Sequence, residues 1–105
     1  MSASFVYVTT SSPDEAACIG KVLVTEKLVA SVNILGEIRS IFRWEEKIHD
    51  KKETLLIAKT STLRVDELVD RIRSLHSYQC PCIVAWRLDE GNDAYLNWIG
   101  QETTQ

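Results

Sequence analysis

The chain has 105 residues, 45% hydrophobic and 26% charged, which fits one globular domain over residues 1–105 with a modest core. Its net charge of −3 excludes a general polyanion binder, because phosphate recognition needs concentrated Lys and Arg, so nucleic acid is not an expected partner. The opening residues, Met1 to Val8, lack the pattern of a signal peptide, and no apolar run approaches membrane-spanning length; a cytoplasmic protein with no membrane partner is expected, its three cysteines free thiols.

Phe5 to Thr10 is a β-branched and aromatic run suited to a central strand. Ser12, Pro13 and Glu15 then combine an N-cap, a proline at the first helical position and a Ser-x-x-Glu capping box. The helix should run to Lys27 or Leu28, with Ala16, Ile19, Gly20 and Leu23 as its inner stripe. Cys18 falls on the flank of that stripe and is expected to be buried.

Val32 to Thr60 reads as one long hairpin that turns within Glu46 to Lys52. On the first arm Val32, Ile34, Ile38, Phe42 and Trp44 share one parity, while Asn33, Glu37, Arg39, Arg43 and Glu45 share the other, which predicts a continuous half-buried strand. Such a strand from Val32 to Trp44 would span about 43 Å, at the usual strand rise per residue. A compact globule of this size has a diameter of roughly 35 Å. The hairpin should therefore overshoot its own domain. With Ile41, Phe42 and Trp44 exposed on it, pairing with neighbouring copies is the expected protection of that edge.

A second helix is signalled by Ser61 or Thr62 as cap and by the stripe Val65, Leu68, Val69, Ile72 and Leu75, ending near His76. Cys82 to Leu88 reads as a strand, Gly91-Asn92 as a turn, and Asp93 to Ile99 as a short helix with Tyr95, Trp98 and Ile99 on one side. Gly100 to Gln105 reads as a frayed polar tail. The order βαββαβ with a terminal helix is the α+β, ferredoxin-like sandwich, with two helices on one face of an antiparallel sheet. The right-handed crossover rule leaves the other face in need of cover, which a partner subunit would supply.

The densest set of candidate ligands is His76-Ser77-Tyr78-Gln79-Cys80-Pro81-Cys82. Thiolate sulfur and imidazole suit Cu(I) or Zn, and residues two apart in extended chain point to one side, so His76, Cys80 and Cys82 form the candidate metal set. The alternative for Cys80 and Cys82 is that of small apolar fillers leading into a buried strand. For His76 it is hydrogen bonding to the free carbonyls of a helix end. His49, in the polar turn, is expected to be solvated. Lys59 ends an apolar strand, where it reaches solvent or, beside a cleft, binds an anion. Trp44 and Tyr78 are amphipathic surfaces suited to an interface or a pocket. No nucleophile with an adjacent base, P-loop or dinucleotide fingerprint is present, so no enzyme is expected.

Several ordered blocks resemble the CutA divalent-cation-tolerance family over nearly the whole chain. They are Val8-Thr9-Thr10 with Glu15-Ala16, Leu28 to Asn33, Ile41 to Glu45 with Ile48, Glu53 to Thr60, His76-Ser77-Tyr78 with Pro81, and Gly91 to Ile99. The resemblance implies a PII-like homotrimer joined through hairpin residues 32–60, a cytoplasmic setting, and binding of copper or another divalent cation that is not required for folding. It places Trp44, Lys59, His76 and Tyr78 in inter-subunit clefts that take a metal ion or a small anion. The alternative it implies is a PII-like signalling or scaffold protein whose trimer docks a partner protein. Several positions depart from the family pattern, among them Ser31, where the usual Leu-Ala-Ala-Cys ends. A common proline and a common acidic residue are Ser77 and Cys82. The cysteine and the paired histidines through which some bacterial relatives are thought to bind copper read Thr9 and Leu75-His76. The glycine that usually follows Trp-x is Glu46.

Overall fold

The computed structural model describes residues 2–104, and Met1 and Gln105, the outermost residues of the expected leader-free start and polar tail, lie outside the described residues. Four strands and three α-helices follow in the order β1 (Ala3–Thr10), α1 (Pro13–Thr25), β2 (Ser31–Trp44), β3 (Lys47–Ser61), α2 (Val65–Leu75), β4 (Ile83–Leu88) and α3 (Asp93–Glu102). The sheet order is β2-β3-β1-β4 with every neighbouring pair antiparallel, so the ferredoxin-like α+β arrangement expected of the sequence is the one observed.

α1 starts where the capping chemistry places it: the Glu15 N–H donates to Ser12 Oγ at 3.1 Å, and Ser11 N–H donates back to Glu15 Oε1 at 2.9 Å. It ends two residues before the expected Lys27. Lys27 adopts a φ of 60°, its N–H bonds the Val24 carbonyl, and the Leu28 N–H bonds the Leu23 carbonyl at 3.0 Å. That pair of bonds is a Schellman motif built without glycine. Ala16, Ile19, Gly20 and Leu23 are the buried residues of the helix. They pack with Val6, Val8, Leu56, Ala58, Leu68 and Ile72 in the main core. Gly20 permits the close approach to the sheet, because a Cβ there would stand 2.9 Å from Val32 Cγ2. Cys18, contrary to expectation, is exposed, since only the stripe one turn apart reaches the sheet.

α2 is preceded by a 3-10 turn, Thr62–Arg64, and the expected Ser61 or Thr62 side-chain cap is not formed. Thr62 Oγ1 instead meets Ser4 Oγ at 2.8 Å, and Ser61 Oγ meets Thr103 Oγ1 at 2.6 Å. The tail is likewise not frayed up to Thr103. α3 extends three residues past the expected Ile99, and Thr103 is 2% exposed, its carbonyl accepting from Arg64 Nη1 at 2.9 Å. α3 packs Ile99 and Leu96 against Ala3, Ala30 and Leu88 in a second, smaller cluster. Ala3 has the strand parity opposite to the core residues Val6 and Val8, so α3 lies on the face away from α1 and α2 and covers one end of it.

The hairpin is the long element anticipated, and the molecule measures 44 × 26 × 23 Å. Its turn is tighter than expected: β2 ends at Trp44, β3 begins at Lys47, and Glu45 and Glu46 alone connect them, both with positive φ of 50° and 66°. Two consecutive left-handed residues between paired strands make a type I′ turn, which favours Asn-Gly and here carries two glutamates.

The continuous alternation expected on β2 is interrupted. Leu35 pairs with Leu55, but the next pair is Ile38 with Glu53, three steps on β2 against two on β3. This one-residue bulge exchanges the faces of everything beyond it. Val32 and Ile34 lie on the helix face. Ile38, Ser40, Phe42 and Trp44 lie on the opposite, open face with Glu53, Lys51, His49 and Lys47.

Candidate functional site

The bulge makes the site possible. By turning the far half of β2 over, it sets Phe42 and Trp44 on the same face as Tyr7 and Thr9 of β1, and the four line a cavity of about 720 Å³ at the root of the hairpin overhang. Its other wall is the segment from Ser77 to Cys82, which follows α2 around the end of the sheet. That volume lies in the usual range for small-molecule sites, on the order of 300–1,000 Å³.

The loop wall is held by hydrogen bonds that run through His76. The Tyr78 N–H donates to His76 Nδ1 at 3.1 Å, which leaves Nε2 as the protonated nitrogen, and Nε2 donates to the Thr9 carbonyl at 2.7 Å. Both ring nitrogens are therefore engaged, and the imidazole joins the loop to β1 instead of capping the end of α2. Glu15 completes the fastening, since its Oε2 accepts from the Ser77 N–H at 2.9 Å. Partial burial pushes the Glu15 carboxyl up, but the bonds from Ser11 and Ser77 outweigh it and lower its pKa to about 2.

Glu53 forms the floor. Its residue is 6% exposed, the Tyr78 hydroxyl donates to Oε2 at 2.7 Å, and no ion pair to it occurs among the described residues. Burial first, and then the Glu53 carboxylate, raise the pKa of the Tyr78 hydroxyl far above its usual value. Lys51, two residues away on the same face of β3, holds its Nζ 4.4 Å from the Tyr78 ring centroid and 5.6 Å from that of Phe42. Tyr78 also packs on the His76 ring at 4.7 Å.

Cys80 and Cys82 both line the cavity and are free and exposed, so neither is the buried filler of the alternative reading. Burial of the sulfur pushes the Cys82 thiol up, as do the Glu53 and Cys80 side chains, against the opposing bond to Thr9. A thiol is soft and weakly reactive until a cation favours its deprotonation. Among the described residues no group of three or more His, Cys, Asp or Glu side chains stands as a metal cage.

The candidates read from the sequence are thus only partly brought together. Trp44, Tyr78, Cys80 and Cys82 line the cavity, and His76 stands behind Tyr78. Lys59 is elsewhere: it lies six residues along β3 from Glu53, about 20 Å at the strand rise. There it is 8% exposed, donates to Asn33 Oδ1 and sits 5.8 Å from the Phe5 ring, so it neither reaches solvent nor walls this cavity. His49 is not simply solvated, because its ring stacks on Phe42 at 5.2 Å and 11°. Sequence reading missed Glu53, Lys51 and Tyr7. The signal available for the first two was their spacing, since residues 51 and 53 share a strand face, but the cavity that gives them meaning depends on the bulge.

A family model described as CutA1 divalent ion tolerance protein matches residues 4–102. The chain is 41% identical over 98 residues to the divalent-cation tolerance protein CutA of Thermus thermophilus, covering 93% of this chain and 95% of that protein. It is 35% identical over 102 residues to the human protein CutA, covering 97% of this chain and 57% of the human one. Among solved structures, CutA1 of Oryza sativa superimposes with a TM-score of 0.96 at 32% identity, over 100% of this chain and 96% of that one. The CutA of Archaeoglobus fulgidus, described as a periplasmic divalent cation tolerance protein, superimposes with a TM-score of 0.93 at 38% identity, over 97% of this chain and 99% of the other.

Proposed function

The chain belongs to the CutA1 divalent ion tolerance family, and from that premise we propose a non-enzymatic homotrimer that holds a divalent or soft metal ion at the root of its hairpin. The observation that carries this reading is the juxtaposition, in one cavity, of two free thiols and a nine-tenths-buried carboxylate that has no ion pair. Thiolates suit copper or zinc, and an unpaired buried carboxylate lowers the cost of admitting a cation while raising that of an anion. Cys80 and Cys82 are the ligands in this proposal. His76 would have to give up its bond from Tyr78 N–H to join them. Lys59 is not an anion anchor for this cavity, because it lies six residues along β3 from Glu53 and does not line it.

Two side-chain sulfurs do not complete a metal's coordination, and assembly offers the remainder. The open face and the overhang expose an apolar set, Leu35, Phe42, Trp44, Val84 and Trp86. Covering it with neighbouring copies brings further groups to the cavity mouth; three copies is the number implied by the resemblance of the sequence to its family. A cytoplasmic setting belongs to the same proposal, as it keeps Cys80 and Cys82 reduced.

Reduced, chelator-treated protein should bind Cu(I) or Zn(II) saturably, and a Cys80→Ser/Cys82→Ser double variant should lose at least tenfold in affinity. Unchanged metal affinity in that variant would remove the thiols from the proposal, and a monomeric mass in solution would remove the trimer.

A further inference from the structure

The aromatic half of the cavity has a chemistry that metal ligation does not use. Tyr7, Phe42, Trp44 and Tyr78 line it together with Glu53, and among the described residues the Tyr78 hydroxyl alone donates to that buried carboxylate. An unpaired carboxylate in such a place is costly until a cation approaches it. The rings already engage one: Lys51 Nζ stands 4.4 Å over Tyr78 and 5.6 Å from Phe42. Ring faces with a carboxylate behind them are the recognition chemistry of ammonium groups, which are attracted to the π faces and neutralised by the anion. Glu53 also raises the pKa of both Tyr78 and Cys82, so its charge is felt along the loop wall that carries them.

We infer that this cavity is also a binding site for a small organic ammonium ion, whose charged nitrogen takes the place between Phe42 and Tyr78 now held by Lys51 and faces Glu53. Lys51, largely exposed and on a flexible stem, acts as the resident competitor that the ligand displaces. The inference rests on the cavity being a ligand site but not on the thiols, and the two can fail separately.

The test is calorimetric titration of the full-length, chelator-treated protein with tetramethylammonium and with 1,4-diaminobutane. Saturable binding is expected, weakened at least tenfold in Glu53→Gln and in Phe42→Leu. In Lys51→Met it should be strengthened at least threefold, because the competitor is gone. The amine titrations are made on metal-free protein and the Cu(I) or Zn(II) titration on a separate sample, so that the amine reading and the metal reading fail independently. Absence of saturable binding in both wild type and Lys51→Met would overturn the inference, as would equal affinity in Glu53→Gln. Lys51→Met keeps the test decisive should Glu53→Gln fold poorly, since it predicts a gain that a damaged protein cannot produce.

Discussion

The two faces of the sheet are made from the same strands by the same alternation, yet they end in opposite states. On the helix face Val6, Val8, Leu56 and Ala58 are fully buried beneath Ile19, Leu23, Leu68 and Ile72. On the open face Val84, Trp86, Leu35 and Trp44 remain 41–54% exposed, with α3 covering only the end at Ala3 and Leu88. The first face is completed within the chain by helices whose apolar stripes match its width. The second has too few helices of its own, and its polar members, Glu53, Lys51 and Tyr78, are gathered into a cavity. One face therefore holds the fold together, while the other carries the cavity and an exposed apolar surface.

Substitutions on the two faces should separate these roles. The largest effect is expected on the closed side: Leu56→Ala removes a fully buried side chain and should cost about 2–5 kcal/mol in chemical denaturation, whatever the assembly state. Trp44→Asp, on the open side, should leave the isolated fold intact by circular dichroism but lower the solution mass and weaken ligand binding together. A trimer of unaltered thermal midpoint would refute that link. At the turn that joins the faces, Glu46→Gly relieves a φ of 66° and should stabilise by about 1 kcal/mol, read as a raised denaturation midpoint.

The smallest effect concerns the fastening of the cavity wall. The folded pKa of Glu15 is depressed from 4.5 to about 2, so its contribution is fully present above the unfolded value and is lost as pH falls through the folded one. Stability measured from pH 5 down to pH 2 should therefore decline less in Glu15→Gln than in the wild type. Equal slopes would show that the Ser77 bond does not fasten the loop.

Much of this was written locally. Ser12, Pro13 and Glu15 start α1, Ala16, Ile19, Gly20 and Leu23 face its core, and the length of the hairpin follows from an unbroken run of strand-forming residues. Trp44 and Tyr78 could be nominated for an interface or pocket by their amphipathic rings, and Cys80 and Cys82, with His76, for a metal by their soft and imidazole donors. What misled was any inference carried across the bulge or between distant segments. The parity of Val32 and Trp44 is the same in sequence and opposite in space. Lys59 looks like a strand end that reaches solvent until Asn33 and Phe5 are set beside it, and Thr103 looks like loose tail until Arg64 and Ser61 reach it.

The sequence by itself determined the elements, their order and the family, because capping, periodicity and turn chemistry act over a few neighbouring residues. The tertiary structure alone decided which face of the far hairpin meets Tyr7 and Thr9, and that Glu53 lies buried among rings without an ion pair. The reason is physical: a one-residue bulge leaves almost no trace in composition, yet it rotates every later side chain by half a turn. The environment of a buried charge is likewise set by residues tens of positions away.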